Sequence, residues 1–73
     1  HCRVMVLLER SVEARQFREW SMGFVDVKGV AAGLPGYSDY LRHRHDPARA
    51  GSLAATLLAQ FCEGRLRNLV SAR

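Results

Sequence analysis

Arg15-Gln16-Phe17-Arg18-Glu19-Trp20-Ser21-Met22-Gly23-Phe24-Val25-Asp26-Val27 is the stretch on which the fold turns. From Trp20 onward it alternates. Trp20, Met22 and Phe24 share one face of an extended chain, and Ser21 and Gly23 share the other. The pattern predicts a β-strand whose Trp, Met and Phe face must be covered. Gly23 leaves room for a close approach on the opposite face.

Working outward, residues 4–8 form a short apolar run bounded by Arg3 and Glu9. Val4, Val6 and Leu8 alternate with Met5 and Leu7, which predicts a second strand, buried on both faces. Residues 10–19 read as a polar connector anchored by Val12 and Phe17. Downstream, Gly29, Gly33 and the Pro35-Gly36 pair leave room for at most a helical turn around Val30 and Leu34. Tyr37, Tyr40 and Leu41 fit one face of a short helical segment.

A longer helix is predicted from Asp46. Its carboxylate suits an N-cap, and Pro47 suits the first helical position, where a missing N–H costs nothing. Ala50, Leu53, Ala54, Leu57, Leu58 and Phe61 follow at helical spacing, and Gly64 offers a stop. The expected fold class is therefore α+β: a ferredoxin-like sheet fragment of two strands followed by C-terminal helices. The expected division is a strand region over 1–27 and a helical cap or output segment over 28–73. Two strands are marginal alone, so the pattern asks for further strands or a partner.

The chain has 73 residues, 48% of them apolar and 25% charged, with six glycines and two prolines. That composition is globular rather than disordered. The length excludes a large barrel or a complete dinucleotide-binding fold. No apolar run approaches the roughly 18 residues of a membrane span. The net charge of +4 comes from 11 basic residues, all arginine except Lys28, spread along the chain without a stripe. A nucleic-acid binder is the weakest of the readings considered.

Chemistry-bearing motifs are sparse. His43, His45, Asp46 and Cys62 match no zinc-ligand spacing, and Arg42 and Arg44 would repel a cation. There is no phosphate-binding loop, nucleophile elbow or metalloprotease helix, so no enzyme is expected. Cys2 and Cys62 lie far apart and read as free thiols in a reducing cytoplasm.

The spaced set Arg15, Phe17, Trp20, Ser21, Met22, Gly23 and Phe24, preceded by His1, the run 4–8 and Glu9, resembles the second half of BLUF domains, the flavin-dependent blue-light sensors. The segment from Leu34 to Tyr37 and the stretch 61–65 resemble the cap that follows many such domains. The resemblance implies a ferredoxin-like sheet, FAD as cofactor, and Trp20 and Met22 as flavin-proximal residues on a switch strand. It also implies helices that pass the light signal to a downstream effector domain or protein, or to a second copy. The family's phototyrosine, flavin-binding asparagine and glutamine have no match here, as they belong upstream of His1. Tight flavin binding by this chain alone is therefore not expected. The alternative reading is a non-photoactive interaction or dimerisation module.

Overall fold

The computed structural model describes residues 3–28 and 31–71. His1, Cys2, Gly29, Val30, Ala72 and Arg73 lie outside the described residues, as do the side chains of Val4, Met5, Val27, Lys28 and residues 66–71. Four helices follow in order: α1 (Arg3–Ser11), α2 (Ala14–Lys28), α3 (Tyr37–Arg42) and α4 (Pro47–Ser71).

Among the described residues there is no strand, so the α+β sheet fragment is corrected to an all-helical fold. Both expected strands are helices. The run 4–8 lies within α1, and 20–27 lies within α2. The reason is visible in which residues are covered. Phe17, Ser21 and Val25 recur every four residues, and all three are buried. That is one stripe of a helix. The alternating reading puts Ser21 and Gly23 together; here Ser21 is buried and Gly23 faces open space. In α1, Leu8 packs against the core while its neighbour Leu7 is 63% exposed. A strand of this length also needs a neighbour for its backbone hydrogen bonds, and a helix makes its own.

The break between α1 and α2 is short. The Ser11 hydroxyl donates to the Leu7 carbonyl at 2.7 Å, closing the last turn of α1. The Phe17 N–H then donates to the Glu13 carbonyl at 2.9 Å, opening α2. Before α3, Gly36 takes φ 94°, the left-handed region that a side chain disfavours. The Tyr40 N–H reaches back to the Gly36 carbonyl at 3.0 Å.

The helix expected from Asp46 is present. The Ala50 N–H donates to the Asp46 carbonyl at 2.8 Å, and Pro47 is the first helical residue. Gly64 does not stop it; α4 continues to Ser71. A single glycine costs a helix only about 1 kcal/mol, which flanking residues offset.

The core lies between α2 and α4, with α3 closing one end. Phe17, Met22 and Val25 from α2 meet Ala50, Ala54, Leu57 and Leu58 from α4, and Tyr40 fills the end. Small residues set the spacing of the two long helices. A Cβ built at Gly51 would stand 2.7 Å from Arg18 Cγ and closer still to Arg18 Cβ. Only glycine at 51 permits this crossing.

Candidate functional site

α2 carries every residue singled out for flavin proximity. One side of it holds an aromatic row that runs from the core into solvent. Trp20 lies 6.1 Å from Phe17 and 5.9 Å from Phe24, centroid to centroid, with the rings tilted by 37° and 38°. Those separations are within the range of favourable aromatic pairs. Phe17 is buried and Phe24 half-buried, but Trp20 is 48% exposed. Beside it runs a small apolar groove of about 140 Å³ lined by Leu8, Val12, Gln16, Phe17 and Trp20.

Met22 is elsewhere. Two residues along a helix are about 200° apart around its axis, and Met22 is 8% exposed, packed in the core. The structure therefore separates Trp20 and Met22, the two residues expected side by side. Arg15 is exposed and pairs with Glu19 one turn on, at 3.3 Å. Neither the groove nor the Met22 position fits a flavin. The groove is well below the ~300 Å³ at which ligand pockets begin, and Met22 borders a separate cavity of about 360 Å³ whose other walls are Arg15, Arg18, Glu19, Pro47 and Ala48, with no aromatic face for a flavin ring. No step of flavin chemistry follows from these residues.

Ser21 is fully buried, and its Oγ has no hydrogen-bond partner. Its small size serves the packing of α2 on the core.

A well-connected polar group lies at the far end of α2. The Tyr40 hydroxyl, on a fully buried residue, donates to Asp26 Oδ1 at 2.7 Å. The Arg44 Nε–H donates to Asp26 Oδ2 at 3.0 Å, and Arg44 Nη2 donates to the same oxygen. Three residues from the α2 end, from α3 and from the turn after it are thus locked together. Burial pushes the Asp26 carboxyl up, but the Arg44 and Tyr40 hydrogen bonds and the Arg44 charge outweigh it and hold it below the ordinary carboxylate range. Burial, with the Asp26 hydrogen bond and charge, pushes the Tyr40 hydroxyl up to about 12. Sequence reasoning missed this cluster. Tyr40 and Arg44 sit one helical turn apart, which hints at a shared face, but nothing in the sequence marks Asp26 as their partner.

The histidines behave as polar loop residues. His43 Nδ1 is 2.9 Å from the Asp39 carbonyl, and His45 is exposed. Asp39 also accepts from Arg42 at 2.9 Å. Among the described residues no group of three or more metal-ligating side chains comes together. Cys62 is disulfide-bonded, so the free-thiol expectation fails there; Cys2 lies outside the described residues. Among the described residues, no helix is long and apolar enough to cross a membrane.

No family model, curated protein or solved structure matches the chain.

Proposed function

We propose that the chain is part of a flavin-dependent blue-light sensing protein, and that it contributes the segment beyond the flavin-holding residues. One observation carries this reading: the spaced set Arg15, Phe17, Trp20, Ser21, Met22, Gly23 and Phe24. FAD is the cofactor in this reading, held by a tyrosine, asparagine and glutamine that the chain does not supply at matching positions. The helical placement of Trp20 and Met22, in place of the switch strand that the resemblance implies, weighs against this reading. The role is signalling rather than turnover, toward an effector domain, a partner protein or a second copy. A cytoplasmic location goes with this reading. The disulfide at Cys62 weighs against it, because such bonds are rare in reducing compartments.

The second reading is a non-photoactive interaction module. The half-exposed Trp20, set in a row with Phe17 and Phe24, favours it, since large exposed aromatics are characteristic of interfaces.

Absorbance separates the two. The chain mixed with FAD and desalted should retain no flavin. The full product of its gene should retain flavin and show a small, reversible red shift under blue light. A full product without flavin overturns the sensor reading and leaves the interaction module.

A further inference from the structure

We infer that the cleft between α1, the first turns of α2 and the middle of α4 binds a small zwitterion, an amino acid with an apolar side chain being the class that fits. The cleft is about 370 Å³, within the range of small-ligand pockets. Its walls are Glu9 from α1, Phe17 and Arg18 from α2, and Ser52, Ala55 and Thr56 from α4.

The polarity of these groups fixes the ligand. The aliphatic stem of Arg18 lies against Gly51, and Arg18 lines the cleft. Among the described residues no carboxylate pairs with Arg18, and no cation pairs with Glu9. Ser52 donates its hydroxyl to the Ala48 carbonyl at 3.2 Å, and Thr56 donates to the Ser52 carbonyl at 3.1 Å. Both hydroxyl oxygens therefore offer only lone pairs to the cleft. One wall group donates, Arg18; three accept, Glu9, Ser52 and Thr56. A simple anion satisfies Arg18 but meets Glu9. A simple cation satisfies Glu9 but meets Arg18. A carboxylate on Arg18 with an ammonium on the acceptors satisfies all four. The Phe17 ring and the Ala55 methyl supply an apolar surface for the side chain.

The site is independent of the sensor reading. It is tested by amide-shift titration of the full chain with L-leucine, 4-methylpentanoate and 3-methylbutylamine. Leucine should give saturable shifts at residues 9, 17, 18, 52 and 56. Each one-charge analogue should bind roughly tenfold more weakly, the scale of one lost charge-assisted hydrogen bond. Arg18→Met, which keeps the stem on Gly51, should weaken leucine binding at least about tenfold with unchanged helicity. Should Arg18→Met unfold, Glu9→Gln on the exposed end of α1 still decides. It should weaken leucine and tighten 4-methylpentanoate. Absence of saturable leucine shifts, or equal binding of leucine and 4-methylpentanoate, overturns the inference.

Discussion

The two ends of α2 are held by different forces. Its first half packs by shape: Phe17 is buried, Arg18 lies over Gly51, and the aromatic row is left partly in solvent. Its last turns are held by polar bonds: Asp26 joins the buried Tyr40 hydroxyl and the Arg44 guanidinium. The first half leaves an apolar surface available to a partner. The far end has satisfied its polar groups internally and is closed. The far end therefore acts as an anchor, and the first half keeps an aromatic surface partly in solvent.

The steepest way to break the contrast is at the shape-packed crossing. Gly51→Leu inserts a side chain where even a Cβ has no space, so it should destabilise the chain by ~3 kcal/mol or more and abolish a cooperative melt. Gly51→Ala should cost less, about 1–3 kcal/mol. A thermal melt followed by circular dichroism measures both. A wild-type melt for Gly51→Leu would show that α2 and α4 do not cross there.

At the polar end the effects are smaller. Tyr40→Phe removes one donor from Asp26 and should cost about 1–2 kcal/mol in a urea titration. The same cluster gives a pH signature. Asp26 titrates below its unfolded value, so its contribution is present above about pH 4 and is lost as pH falls through the folded value. Asp26→Asn should flatten that acid limb. Tyr40 titrates above its unfolded value. Its contribution is complete below about pH 10 and is lost as pH rises toward about 12. An ultraviolet titration should find one tyrosine ionising only near pH 12.

The smallest effects sharpen the comparison. Trp20→Ala should cost about 1 kcal/mol or less, because the indole is half in solvent; a covered core tryptophan would cost about 3–5 kcal/mol. Ser21→Ala removes a buried hydroxyl without a partner and should be neutral or slightly stabilising in the same urea titration.

These differences track what was legible in the sequence. The helix from Pro47 was legible because a cap, a first-position proline and apolar 3/4 spacing agree. α2 was misread because it satisfies two templates at once. Trp20, Met22 and Phe24 alternate, while Phe17, Ser21 and Val25 recur every four residues. The small, polar Ser21 in the middle of the buried stripe hid the second pattern. Length is the arbiter, since an unbroken segment of 15 residues without proline suits a helix better than a strand. Of the candidate site, the residues were legible but not their grouping, which depends on whether the chain is pleated or helical. The Asp26 cluster joins residues 14 and 18 positions apart, and no periodicity reaches that far.

The central claim is that 14–28 is a helix that puts Met22 in the core and Trp20 on the surface. Carbon chemical shifts of the labelled chain, with nuclear Overhauser contacts from the Met22 methyl, test it most directly. The account predicts uninterrupted helical shifts across Ala14–Lys28 and contacts from Met22 to core side chains, with Trp20 open to a soluble quencher. Extended shifts over 20–27, with Met22 and Trp20 in contact on one face, would contradict it.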